Sequence, residues 1–124
     1  MNPYELTVTP QAHYLPDQSN LDQQLFAFAY KIVIYNSGQV ATQLIARHWL
    51  ITNSDNQVQE ITGLGVVGRQ PLLKPGQKFE YASWALLTTP TGSMQGSYFC
   101  VAEDGYRFDA PVPEFALCMP GMLH

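Results

Sequence analysis

Charge is scarce in this sequence. Asp, Glu, Lys and Arg make up only 13% of 124 residues, about half the share of an ordinary globular chain. The six basic residues, Lys31, Arg47, Arg69, Lys74, Lys78 and Arg107, are scattered and outnumbered by ten acidic ones, for a net charge of −4. That excludes a phosphate-neutralising surface, so no nucleic-acid partner is expected. No apolar run approaches the roughly 20 residues that cross a bilayer as a helix, so no membrane partner is expected either. Met1 leads into Asn2-Pro3-Tyr4 with neither a basic nor an apolar leader, and a cytoplasmic location follows as the expectation. There are two cysteines, Cys100 and Cys118. In that compartment both are expected to be reduced and to behave as small hydrophobes.

Helical periodicity is absent as well, and alternation takes its place. Residues 24–35 place Phe26, Phe28, Tyr30, Ile32 and Ile34 on one side, the expected core face. Ala27, Ala29, Lys31, Val33 and Tyr35 fall on the other. Residues 78–87 alternate in the same way, and residues 93–102 form a strand in which Gly96 marks a bulge or a close neighbour. Residues 41–52 are apolar on both faces, so which one looks inward stays open. Pro10 interrupts residues 6–15 and confines them to an edge strand with a break or bulge. Residues 16–22 form a polar surface loop, expected to be mobile. Turn signals separate the strands: Asn36-Ser37-Gly38, Lys74-Pro75-Gly76-Gln77 with the residues of a type II turn, and Asp104-Gly105, which favours a primed hairpin. Pro111 and Pro113 bracket a kink before a last short strand over residues 115–119. The fold expected is all-β: one domain over residues 1–124, a two-sheet antiparallel β-sandwich of seven to eight strands, immunoglobulin- or fibronectin type III-like.

Residues 63–76 (GLGVVGRQPLLKPG) hold the one pattern suggestive of nucleotide chemistry, G-x-G-x-x-G at Gly63, Gly65 and Gly68. A pyrophosphate site of that kind needs a helix opening at the last glycine. Pro71 and Pro75 forbid one, since an interior proline costs about 3 kcal/mol or more. The run is therefore read as a bend and turn by which the chain crosses between sheets. A backbone cradle for phosphate at Gly63, Gly65 and Gly68, aided by Arg69 and by Lys74 or Lys78, is the alternative.

Three blocks carry a family resemblance: Arg47-His48-Trp49-Leu50-Ile51-Thr52-Asn53, residues 63–81, and Pro90-Thr91-Gly92-Ser93-Met94-Gln95-Gly96-Ser97-Tyr98. Together with the ending from Pro120 to His124, they resemble the ApaG family over nearly the whole length. The resemblance implies a fibronectin type III-like sandwich and an association with cobalt and magnesium tolerance. Its occurrence in eukaryotic F-box and polymerase delta-interacting proteins implies a protein-binding module. It brings no catalytic residues and no cofactor.

The residues themselves argue for no enzyme. His13, His48 and His124 show no metal-ligand spacing, so no metal site is expected. Gly92-Ser93-Met94-Gln95-Gly96 sets its serine one position too early for a nucleophile elbow. Glu103, Asp104, Asp109 and Glu114 read as solvated charge. A protein partner is the expectation, with weak self-association left open, and Tyr35, Trp49 or Trp84 are the candidate anchors according to register.

Overall fold

The computed structural model describes residues 2–121; Met122, Leu123 and His124, and with them the expected terminal motif, lie outside the described residues. Eight strands follow in order: β1 (Leu6–Tyr14), β2 (Phe26–Asn36), β3 (Thr42–Asn53), β4 (Val58–Leu64), β5 (Leu72–Leu73), β6 (Lys78–Leu87), β7 (Thr91–Ala102) and β8 (Arg107–Cys118). They form two antiparallel sheets, one of order β1-β2-β6 and one of order β4-β3-β7-β8, with β5 also paired to β3. This is the expected all-β sandwich. The 1-2-6 and 4-3-7-8 strand orders suit its fibronectin type III-like description.

The alternation in β2 works as read. Phe28, Ile32 and Ile34 are fully buried, while Lys31 and Tyr35 face solvent. β6 matches its expected bounds and buries Tyr81, Ala85 and Leu87. β3 resolves the question of its two apolar faces. Thr42 and Leu44 point inward, but a β-bulge between Leu44 and Ala46 inserts one residue, and beyond it Trp49, Ile51 and Asn53 point inward instead. One extra residue reverses every later side chain. Trp49 thereby enters the core, edge-on to Tyr30, Tyr98 and Phe115 at ring-centroid distances of 5.7, 6.0 and 6.1 Å. Contacts of that kind add about 0.5–1.5 kcal/mol each beyond burial.

Three expectations are corrected, and a fourth, the polar surface loop after β1, gains detail. β1 runs through Pro10 with unbroken register, because an edge strand pairs on one side only and a missing N–H on its open side breaks no ladder bond. The loop after β1 is two single 3₁₀ turns, Pro16–Gln18 and Leu21–Gln23. Ser19 holds it to the sheet, accepting from Ala27 N at 2.9 Å and donating to Leu15 O at 2.8 Å. Asp104-Gly105 does not adopt primed geometry. Only Gly105 has positive φ, and Ala102 N donates to Tyr106 O across a three-residue loop. β8 is continuous through Pro111 and Pro113, which fall where its register against β7 slips near Gly96. A side chain at Gly96 would meet the His48 carbonyl oxygen at 2.0 Å, so bulge and close neighbour are both present.

The sheets are tied together by a buried hydrogen bond between the hydroxyls of Tyr81 on β6 and Tyr98 on β7, 2.5 Å long. Burial raises the pKa of both phenols above their ordinary 10.0 and, with help from Asp109, pushes the Cys100 thiol up from 9.0 to about 12. The native state holds these protons when the unfolded chain has released them, so stability must fall as pH rises. The loss should begin near pH 9 with Cys100 and steepen above pH 10, by about 1.4 kcal/mol per pH unit for each group. Urea midpoints measured from pH 8 to 11 test this. Cys100→Ala should delay the onset to about pH 10, and an unchanged profile in that variant would refute the assignment.

Candidate functional site

The glycine-rich run occupies the edge of the larger sheet. β4 ends at Leu64, and Val66-Val67-Gly68-Arg69 then reverses the chain. Val66 N donates to Arg69 O at 2.8 Å and Arg69 N to Val66 O at 2.9 Å. Val67 and Gly68 both have positive φ, 44° and 79°, which makes this a type I′ turn. β5 follows and pairs with β3 on the same edge as β4. The change of sheet comes only at Lys74-Pro75-Gly76-Gln77, the expected type II turn, with Gln77 N on Lys74 O at 2.9 Å and Gly76 at φ 86°. The run 63–76 thus carries the chain between sheets as expected, at its Lys74–Gln77 turn, while the bend at Gly63, Gly65 and Gly68 is a hairpin within one sheet rather than part of the crossing itself.

Where the candidate residues fall is set by the bulge. The Ile45 carbonyl accepts from Gly65 N at 2.7 Å and from Gln70 Nε2 at 2.9 Å. Gly63 stands opposite Arg47 in register, and the guanidinium lies against its Cα. Arg47 Nη1 donates to the carbonyls of Leu64 and Gly65, 3.0 Å each. The amide of Gly65 is therefore occupied by β3 and those of Val66 and Arg69 by each other's carbonyls, and Gly68 sits at the exposed tip. Among the cations, Arg69 and Lys78 share an open groove of about 540 Å³ between the glycine hairpin and the start of β6, while Lys74 lines a different one. Lys78 Nζ is 3.3 Å from Glu80, which also holds Lys31 at 3.3 Å. These two lysines keep the Glu80 carboxyl below its usual range, the Lys78 hydrogen bond most of all. Arg69 is exposed and enters no ion pair among the described residues.

The other candidates separate cleanly. His48 Nε2 is 2.6 Å from Glu60, the ordinary arrangement for a surface histidine, and His13 is exposed on β1. No three His, Cys, Asp or Glu side chains converge among the described residues. Ser93 stands inside β7 between Thr52 and Ala116 rather than on a strand-to-helix turn. Asp104 accepts from the Tyr4 hydroxyl and from Tyr106 N, which lowers its pKa, the Tyr4 bond contributing most. Of the three aromatic anchors, Trp49 is only 2% exposed and is withdrawn as a surface residue. Tyr35 is 43% and Trp84 66% exposed.

Trp84 belongs to a feature that sequence reading missed. On the outer face of the smaller sheet, Ala29 pairs with Trp84, Ala27 with Leu86 and Lys31 with Ala82. The alanines form a floor that leaves the indole uncovered. Leu15 and Leu25, carried by the loop clamped through Ser19, make the facing wall of a slot of about 580 Å³. The signal was present in the alternation Phe26-Ala27-Phe28-Ala29: small residues on the outer face, opposite a tryptophan.

Comparison with known proteins follows this geometry closely. The ApaG domain profile matches residues 16–102. The chain belongs to the ApaG domain family. It is 61% identical to Protein ApaG of Ralstonia nicotianae over the full length of both chains. It is 55% identical to Protein ApaG of Thiobacillus denitrificans, covering 98% of this chain and 95% of that one. A Bordetella pertussis crystal structure carrying the name ApaA superposes with a TM-score of 0.94 at 50% identity, covering 98% of both chains. In this ApaG-domain chain no helix of the described residues is long and apolar enough to cross a membrane.

The hairpin tip contains one strained residue. Val67 is β-branched and held at φ 44°, a conformation that costs L side chains about 1–2 kcal/mol. Val67→Asn supplies the Asn-Gly pair that type I′ turns prefer and should stabilise the fold by about 1 kcal/mol. An unchanged or lower denaturation midpoint would contradict this geometry.

Proposed function

We propose that this ApaG-domain chain is a non-enzymatic interaction module, and that its link to cobalt and magnesium homeostasis runs through a protein partner. The observation that carries the reading is Trp84, 66% exposed beside Leu86 at 41%, over an alanine floor in a walled slot. A large ring held open beside a preformed concavity is the kind of anchor on which protein contacts concentrate. Open strand edges add to it: β6 pairs only with β2 and β4 only with β3, so both can accept an added strand. In cells lacking the gene, the Trp84→Ala protein should fail to restore growth on cobalt at an expression level and melting temperature equal to the parent's. Full restoration would sink the proposal.

A second reading keeps the anion. Arg69 and Lys78 facing one groove favour a pyrophosphate or nucleotide held by side chains, with Gly63, Gly65 and Gly68 shaping the hairpin rather than donating amides. A ligand bound by the native state alone raises its melting temperature. Pyrophosphate or ATP should then stabilise the parent and leave Arg69→Glu unmoved; no shift in the parent removes this reading.

A further inference from the structure

We propose that the slot beside Trp84 receives a cationic side chain, arginine above all, presented by an extended segment of the partner with apolar residues on either side of it. This deepens the interaction reading, on which it rests, by naming the chemistry of what docks.

The first ground is the ring. Trp84 stands opposite Ala29 in register, so no large neighbour covers its face, and 66% of the residue meets solvent. The exposed face of an indole carries negative quadrupole density and is the strongest aromatic partner for a guanidinium. A planar guanidinium stacks on it while its N–H fork stays free to bond at the rim, which a lysine ammonium does less well. Gln18 and Asn20 supply polar side chains at that rim.

Charge is the second ground. Residues 1–30 contain Glu5, Asp17 and Asp22 and no lysine or arginine. Asp17 and Asp22 are exposed in the two 3₁₀ turns that build the slot's wall. On the sheet itself the neighbouring cation is Lys31, and Glu80 holds it at 3.3 Å. His13 stands opposite Ala29 on β1. The turns beside the slot therefore carry net negative charge. That charge repels phosphate, which sets this slot apart from the Arg69 groove, and it draws in a basic segment.

The third ground is shape. About 580 Å³ exceeds what one side chain fills, and Leu15, Leu25 and Leu86 line it beyond the indole. Apolar residues two positions to either side of the cation, which share its face in an extended segment, would occupy that remainder. The wall is pre-organised, since Asn20 and Leu25 exchange both backbone hydrogen bonds at 2.9 Å and Asn20 Oδ1 accepts from Gln23 N. Little ordering entropy remains to oppose docking.

The test uses the full chain, ¹⁵N-labelled, and three capped peptides, Gly-Leu-Ser-Arg-Ser-Leu-Gly and its counterparts with Gln or Glu in place of Arg. The Arg peptide should shift the Trp84 indole resonance and the amides of Ala29 and Ala82. It should bind about fivefold tighter than the Gln peptide at low salt, the scale of an exposed cation–π contact with a nearby carboxylate. That preference should shrink at about 0.5 M salt and in Asp17→Asn/Asp22→Asn. Trp84→Ala, a surface change that should leave the fold intact, should abolish binding. Equal affinity for the Arg and Gln peptides would end this proposal while leaving an apolar interaction module standing. Tighter binding of the Glu peptide, or shifts that avoid Trp84 altogether, would end it too. Failure of Trp84→Ala to alter cobalt tolerance would strike the underlying reading instead.

Discussion

One inserted residue in β3 sets the arrangement of this sandwich. The bulge between Leu44 and Ala46 turns the strand over, so that Leu44 and Trp49, five positions apart, both reach the core. Without it, Trp49 would face solvent and the four-ring cluster of Tyr30, Trp49, Tyr98 and Phe115 would lose its centre. A bulge also leaves a carbonyl unpaired, and a buried carbonyl without a donor costs about 1–3 kcal/mol. Gly65 N and Gln70 Nε2 both satisfy Ile45 O. The glycine-rich hairpin is thus the complement of the bulge. Its amides point inward to answer that carbonyl and each other, while Arg47 gathers its outward carbonyls.

The same device marks where the sequence was legible. β2 and β6 alternate, and their inward faces follow from period two alone. β3 carries two half-patterns out of phase, and only pairing with β7 shows where the phase slips. Gly63, Gly65 and Gly68 were rightly separated from a helix-borne phosphate site, because Pro71 and Pro75 act locally. That the hairpin stays in one sheet depends on β5 finding β3, a contact between residues about 30 apart that no local signal encodes. Asp104-Gly105 misled for a related reason: the pair suits two turn families, and the three-residue loop between Ala102 and Tyr106 selects the other one.

The outer face of the smaller sheet is divided along its length. At one end Lys31, Lys78 and Glu80 form a charged net over β2 and β6. At the other, no charged residue occurs on β6 after Glu80, and the surface is alanine, leucine and tryptophan. Charge on an edge strand blocks unwanted pairing, so the protected and unprotected halves of β6 are chemically distinct. Alanines look neutral in a sequence. Their meaning here came from register, which placed Ala29 beneath Trp84 and Ala82 beside Lys31. The polar loop after β1, unremarkable by composition, proved to be the wall.

Magnitudes decide between the two surfaces. In the Arg69 groove, Lys78 is already engaged by Glu80, so among the described residues a single guanidinium outside any ion pair remains. One exposed charge contributes about 0–1 kcal/mol against solvent screening. Two-thirds of a tryptophan, on the order of 150 Å², stands exposed in the slot and yields roughly 4 kcal/mol of gross stabilisation if covered. Association costs consume part of that, but less where the wall is fixed beforehand. A further contact between the indole and a cation adds about 0.5–1 kcal/mol, and it is the part that discriminates among partners. In the proposed docking, affinity would reside in the apolar area around Trp84 that Ala29 and Ala82 leave uncovered, and specificity in the charges of Asp17 and Asp22. The two can be varied separately, because Trp84 lies on β6 while Asp17 and Asp22 lie in the turns before β2.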